Sequence, residues 1–92
     1  MTKMDFNDFC ELMDFENVII MDDYEDALIG VSFDGRAVYD YELMVNCLVE
    51  RDDCTPEDAI EWIEYNTLRA IEYIDENHRP IIIYPYNLQL ED

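Results

Sequence analysis

The 92-residue sequence has very little positive charge. It contains 5 Lys and Arg residues against 24 Asp and Glu, so its formal net charge at pH 7 is −19. A protein that binds nucleic acid or an anionic membrane neutralises phosphates with Lys or Arg, so we expect no direct binding to either. The same field steers association with cationic surfaces. We therefore expect the natural partner to be a basic protein.

Glycine is also scarce, and this bears on enzymatic function. Gly30 and Gly35 are the only two glycines, which leaves no glycine-rich loop for binding phosphate. The negative field disfavours the thiolate that a catalytic cysteine requires, and the carboxylates are too numerous to single out an acid–base pair. We therefore predict a non-enzymatic protein that uses no cofactor.

The sequence has no paired cysteine spacing. Its three cysteines, Cys10, Cys47 and Cys54, form an odd set without a Cys-x-x-Cys pair. We therefore interpret them as free thiols rather than as disulfides or, with His78, as zinc ligands.

The N-terminus lacks the apolar region of a signal peptide, and no apolar run approaches the ~18 residues of a membrane span. These absences predict a soluble, cytoplasmic protein.

Half of the residues are apolar, so the chain is expected to fold, and its length suits one compact domain over residues 1–92 with flexible ends at 1–3 and 87–92. The segment from Thr55 to Ile74 has the clearest helical pattern. Thr55 is a good N-cap and Pro56 occupies the permitted first helical position. One helix of about five turns would carry an apolar stripe towards the core, made of Pro56, Ala59, Ile60, Ile63, Thr67, Ala70, Ile71 and Ile74.

The other elements follow from shorter signals. Residues 4–15 have the spacing of an amphipathic helix, with Asp5 or Asn7 as its cap, and residues 17–21 are either a strand or an extended connector. Asp34-Gly35 between two apolar runs predicts a hairpin with a type I′ turn, and Asp40 caps a helix over residues 41–52. Residues 81–84 have the pattern of a strand covered on both faces or inserted centrally, beside the hairpin.

These elements predict an α+β fold, with three to four helices packed on a small, mainly antiparallel sheet that contains the hairpin.

Several short stretches of the sequence resemble stretches found in a known group of proteins. They include residues 29–30, 35–41, 44–45, 57–70 and 80–82, within a similarity that spans roughly Ala27 to Tyr84. The chain resembles the small acidic proteins encoded by phages and prophages of Gram-positive bacteria, most of them uncharacterised. The resemblance carries no catalytic residues. It implies an inhibitor of host defence, such as an anti-CRISPR protein, and some inhibitors of this kind mimic nucleic acid.

Two faces of the Thr55 helix are candidate partner-binding surfaces. Its Glu side chains repeat at about one helical turn, on a scale similar to the phosphates of a DNA strand. An acidic surface of this kind could occupy a basic groove built for nucleic acid, and the candidate charge mimics are Glu57, Glu61, Glu64, Asp22, Asp23, Glu25 and Asp26. The simpler interpretation is a solvated helix face that provides solubility.

Trp62, Tyr65, Arg69 and Tyr73 form the second face. Trp, Tyr and Arg are enriched at binding hot spots, so Trp62 and Tyr65 are candidate anchors. The alternative is that this face packs in the core, with Asn66 or Arg69 bonded to strand carbonyls or to Asp40. A third possibility is that the face forms a homodimer. The run from Asp22 to Asp26 could also attract a hard cation, although it lacks the spacing of a built calcium site.

Overall fold

The computed structural model describes residues 5–85, which form an α+β fold, as predicted. The ends expected to be flexible lie outside these residues. The elements in chain order are α1 (Phe6–Met13), a 3₁₀ helix (Asp22–Ala27), β1 (Leu28–Val31), β2 (Ala37–Asp40), α2 (Tyr41–Asp52), α3 (Pro56–Trp62), a π-helical turn (Ile63–Thr67), α4 (Leu68–Ile71) and β3 (Ile81–Ile83). We call α3, the π turn and α4 together the long arm.

The sheet is mixed and has the strand order β1-β2-β3. β1 and β2 form the antiparallel hairpin, whereas β3 lies parallel to β2. β3 therefore lies beside the hairpin, as predicted, but at the edge of the described sheet, so the prediction of a central position is wrong. All three of its residues are half-buried, which explains the absence of polar alternation in this run.

The hairpin turn differs from the predicted type I′ turn. Gly35, at φ +86°, is its only residue with positive φ. The Gly35 amide donates to the Ser32 carbonyl at 2.9 Å, and the Ser32 amide donates to the Arg36 carbonyl at 2.7 Å. This is a three-residue loop, which needs the left-handed region only at its last residue. Asp34 therefore avoids positive φ, and its carboxylate accepts a hydrogen bond from the Ser32 hydroxyl.

The first helix lies at the periphery. Asp5 caps α1 by accepting from the Asp8 amide at 2.8 Å, but no residue of α1 is buried. Residues 17–21 form no strand, so the alternative of a connector is correct. At the end of this connector, the Met21 amide donates to the Tyr39 hydroxyl at 2.7 Å, and this hydrogen bond attaches the connector to β2.

The two caps of the helical hairpin are confirmed. Asp40 accepts from the Leu43 amide at 3.2 Å, and the Thr55 hydroxyl accepts from the Asp58 amide at 3.1 Å. Asp53 lies between the helices in the left-handed region, at φ 53°. This short connection lets α3 fold back onto α2, so the buried Met44 and Leu48 of α2 share one core with Ala59 and Ile63.

The long arm contains a change of helix type that the sequence pattern does not predict. The Leu68 amide donates to the Ile63 carbonyl, a separation of five residues. This wider turn delays the rotation of the helix, so the buried residues Ala59, Ile63 and Ile71 are spaced by four and then by eight residues. The predicted stripe is wrong at three positions, which are exposed, namely Pro56, Ile60 and Ala70. Only Ala70 follows the π turn, whereas Pro56 and Ile60 lie before it in α3.

Candidate partner-binding site

All seven acidic side chains of the predicted site are exposed to solvent. Among residues 5–85, carboxylates pair with Arg or His only at Asp34, Asp23, Asp52 and Asp75. Asp23 is therefore the only predicted site residue in an ion pair, and its carboxylate lies 3.8 Å from Arg51. The site thus presents largely uncompensated negative charge.

The aromatic face is exposed too, so the alternative that it packs in the core is wrong. Trp62 is 56% exposed and Tyr65 is 61% exposed. The Arg69 guanidinium lies over the Tyr65 ring, 5.6 Å from its centroid, and the Asn66 amide nitrogen donates to the Trp62 carbonyl at 3.1 Å. Neither side chain bonds to a strand carbonyl or to Asp40. These polar groups bond within the long arm, because the arm points this face away from the sheet.

The π turn has a direct hydrogen bond to the acidic 3₁₀ helix. Tyr24 is buried, and its hydroxyl lies 2.6 Å from the Thr67 hydroxyl. Burial raises the pKa of Tyr24, an effect opposed by the hydrogen bond to Thr67. The hydroxyl is thus neutral at pH 7 and able to donate. This contact fixes the 3₁₀ helix beside the long arm.

The contact of Tyr24 with the long arm was not predicted from the sequence, although a signal for its burial is present. Tyr24 and Ala27 are the buried residues of an otherwise acidic segment, and their spacing of three is the period of a 3₁₀ helix.

A groove of about 470 Å³ lies between the 3₁₀ helix and the long arm. Asp22 and Asp23 border it on one side and Trp62 on the other. Apolar atoms of the connector, of the long arm and of the segment after it complete its walls, contributed by Met21, Ala70, Ile71 and Ile74. Tertiary structure therefore brings two of the predicted charge mimics together with one predicted anchor, although about forty residues of chain separate them.

Glu25 and Asp26 belong to a different hollow, of about 350 Å³, which the 3₁₀ helix forms with α2. Arg51 closes part of it by donating to the Asp23 carbonyl at 2.9 Å. The pKa of the Cys47 thiol is raised there by burial and then by the Asp26 carboxylate. A thiol in these surroundings stays protonated and unreactive at neutral pH.

The Glu residues of the long arm do not form one continuous row with the groove. Glu57 and Glu61 lie on α3, but Glu64 is in the π turn, close to Tyr41. The pKa of Tyr41 is raised first by its burial, then by Tyr84 and Glu64. Neither Glu64 nor Tyr65 lines the groove. The acidic surface is thus divided between the two sides of the long arm.

Two arginines that could have neutralised this surface are used elsewhere. Arg36 donates to the carbonyls of Glu76 and Arg79 at 3.1 and 3.5 Å. Arg79 donates to the Ile74 and Glu72 carbonyls, both at 3.1 Å. These bonds hold the connection between α4 and β3, a structural role that leaves the carboxylates of the long arm without cations.

Two other features concern metal and membrane binding. Within residues 5–85, no three His, Cys, Asp or Glu side chains are grouped closely enough to hold a metal ion, and this includes Cys10, Cys47, Cys54 and His78. No helix in this range combines the length and the apolar character required to span a bilayer.

No protein-family model, curated protein or solved structure matches the chain.

Proposed function

We propose that this protein is a phage-derived, cytoplasmic inhibitor of a host defence protein, and that it binds a basic surface of that protein in place of nucleic acid. The protein acts by occupying this surface, without catalysis. The resemblance to small acidic phage proteins supports the biological role. The observation that carries the binding mode is the exposed acidic surface, whose carboxylates are mostly left without cations because the arginines bond internally.

The spacing of the carboxylates supports mimicry of a phosphate backbone. Glu57 and Glu61 are four residues apart on α3, which separates them by about 6 Å along the helix axis. Phosphates of one DNA strand advance about 3.4 Å each along the axis, so the two carboxylates correspond to every second phosphate. A groove that binds a nucleic acid backbone with Lys and Arg side chains would meet a similar density of charge.

The test is an affinity capture from lysate of a bacterium with intact defence systems. The bait is wild-type protein or the variant Glu57→Lys/Glu61→Lys/Glu64→Lys. We expect the wild type to capture a nucleic-acid-binding protein that double-stranded DNA releases, and the variant to capture none. The matched control, Glu11→Lys/Glu16→Lys/Glu42→Lys, changes the net charge equally at exposed positions elsewhere. Full binding by the first variant, with circular dichroism showing that it is folded, would refute the proposal.

Self-association is a second candidate function, favoured by the exposure of Trp62, Tyr65 and Tyr73, the last being 90% exposed. Two copies would each carry a net charge of −19, so salt must strengthen a homodimer by screening their repulsion. Binding to a basic partner must instead weaken with salt. Light scattering at low and high salt separates the two functions, and a dimer that forms in high salt and is lost in Trp62→Ala would support self-association.

A further inference from the structure

We propose that the groove between the 3₁₀ helix and the long arm binds one arginine side chain of the basic partner, with the guanidinium between Trp62 and Asp22. This inference rests on the proposed function and assigns the groove as the place where the partner is recognised rather than only attracted. General charge mimicry needs no pocket, whereas this groove combines the acidic residues Asp22 and Asp23 with Trp62 and apolar walls.

The walls of the groove match a side chain with an apolar stem and a cationic end. Ala70 and Ile71 offer apolar contact to the stem, and Asp22 and Asp23 lie at the rim for the charged end. Trp62 lines the groove while remaining 56% exposed, so part of its indole surface is available to a ligand. Trp binds cations better than other aromatic side chains do, and arginine is the commoner protein cation in such contacts.

The polar groups favour arginine over lysine. Asp22 forms no ion pair within residues 5–85, and the nitrogen of Asn66 is used by the Trp62 carbonyl, which leaves the oxygen of this amide as an acceptor. Carboxylate and amide oxygens beside an aromatic ring suit the planar guanidinium with its five N–H donors. An ammonium group lacks the flat, delocalised surface with which a guanidinium stacks on a ring while its N–H groups bond to oxygens beside it.

The arginines of the protein itself are not the occupants. Arg36 and Arg79 bind carbonyls near β3, Arg51 binds Asp23 and Asp52, and Arg69 lies over Tyr65. Among the arginines of residues 5–85, only Arg69 makes neither a hydrogen bond nor an ion pair, and a second copy would bring it together with a net charge of −19. Charge complementarity accordingly selects a different, basic protein.

Trp62 is the only tryptophan, so its fluorescence reports on the groove directly. The experiment titrates the full-length protein with hexa-arginine, hexalysine and hexacitrulline peptides at fixed ionic strength. We expect hexa-arginine to change Trp62 emission at a concentration at least about threefold lower than hexalysine, and the neutral hexacitrulline to have no effect. In Asp22→Asn the midpoint for hexa-arginine should rise about fivefold, which corresponds to about 1 kcal/mol. The matched control Asp8→Asn, on α1, should leave it unchanged.

Other results would overturn the inference. Equal midpoints for the arginine and lysine peptides, with equal effects of Asp22→Asn and Asp8→Asn, would mean that the groove makes no specific contribution. A response to hexacitrulline equal to that of hexa-arginine would identify a purely apolar docking site. Trp62 emission that depends on protein concentration without peptide would identify a second copy as the occupant. None of these results bears on the capture experiment with the triple Lys variant, so the failure of the inference and the failure of the proposed function are distinguishable.

Discussion

The long arm meets its neighbours differently on its two sides, although each side contains a buried tyrosine. Towards the 3₁₀ helix, the Tyr24 hydroxyl is hydrogen-bonded to Thr67 at 2.6 Å, and the groove opens beside this contact. Towards β3, Tyr41 packs on Tyr84 with ring centroids 4.8 Å apart, and its buried hydroxyl has no hydrogen-bond partner among residues 5–85. The 3₁₀ helix is thus bonded directly to the long arm, whereas the ring packing of Tyr41 joins the start of α2 to the residue that follows β3.

This difference indicates where a binding site can be built. A hydrogen bond fixes distance and direction, so Asp22 and Trp62 are held in a defined relation across the groove. The Tyr41–Tyr84 ring contact includes no residue of the long arm, so it does not position the arm in the same way. The side towards β3 carries Glu64 but has no comparable hydrogen bond to position it, so we expect Glu64 to contribute long-range attraction and the groove side to contribute specificity.

The largest expected effect is a loss of overall stability when the buried side chain of Ile63 is shortened. Ile63 is fully buried at the start of the π turn, in the same core cluster as Tyr24 and Tyr41. Ile63→Ala should lower the free energy of unfolding by about 2–5 kcal/mol, because it removes buried methyl groups and leaves a cavity. Chemical denaturation monitored by circular dichroism measures this. The control Ile60→Ala, at a residue 38% exposed, should cost much less, and an equal cost would contradict the assigned packing.

High pH should lower the stability of the fold, because Tyr24 and Tyr41 are buried in their neutral form. The pKa values of Tyr24 and Tyr41 are raised above the ordinary value of 10.0, primarily by burial. Negative neighbours raise both further, Asp23 near Tyr24 and Glu64 near Tyr41, while Arg51 opposes this at Tyr24. Each tyrosine then retains its proton in the folded state at pH values where the unfolded chain has lost it. Its contribution to stability is complete below about pH 10 and is lost as the pH rises through the folded value.

The expected slope is up to about 1.4 kcal/mol per pH unit for each such tyrosine. Denaturation midpoints measured between pH 8 and 11.5 test this, with Tyr24→Phe and Tyr41→Phe each making the decline shallower. The buried Tyr39, whose pKa is raised in the same way, keeps part of the decline in either variant. A flat profile in the wild type would contradict the burial of all three phenols.

Removing the hydrogen bond of the groove side should have a moderate effect. Tyr24→Phe is expected to cost about 0.5–1.5 kcal/mol, the net value of a typical intramolecular hydrogen bond. Its partner variant Thr67→Val should cost a similar amount, and the double variant should cost little more than either alone. Strictly additive costs in this double-mutant cycle would show that the two hydroxyls do not interact.

The smallest effect is expected on the side towards β3. Tyr41→Phe removes a buried hydroxyl that has no partner in the described chain, so stability should change by less than about 0.5 kcal/mol or rise slightly. Thermal unfolding followed by near-ultraviolet circular dichroism is the measurement. A loss as large as that of Tyr24→Phe would mean that the Tyr41 hydroxyl has a bonding partner, and the contrast between the two sides would disappear.

Local signals in the sequence predicted the helix caps correctly, because each cap is a bond between near neighbours. The caps at Asp40 and Thr55 each involve an amide three residues away, so residue type and position were sufficient to predict them. The hairpin was predicted for the same reason, but its turn type was not. Asp-Gly permits several loops, and the structure uses the loop that needs positive φ at Gly35 alone.

The candidate site was predictable only in part. The exposure of the seven acids and of Trp62 agrees with their positions off the apolar stripe, but the stripe itself was drawn for a regular helix. The π turn changes the phase of the residues that follow it, so that Ala70 is exposed, and an i+5 hydrogen bond leaves no distinct mark on residue spacing. The pairing of Asp22 with Trp62 across the groove depends on the contact between Tyr24 and Thr67, which are 43 residues apart.

The sequence alone determined the net charge, the helical caps, the hairpin and the α+β class, because composition and bonds between near neighbours do not depend on how distant segments meet. Tertiary structure alone decided that the acidic surface is divided between the two sides of the long arm, that β3 joins the sheet parallel to β2, and that a groove lies beside the acidic 3₁₀ helix. These features arise from contacts between segments far apart in the chain, and such contacts are selected by the packing of the whole core.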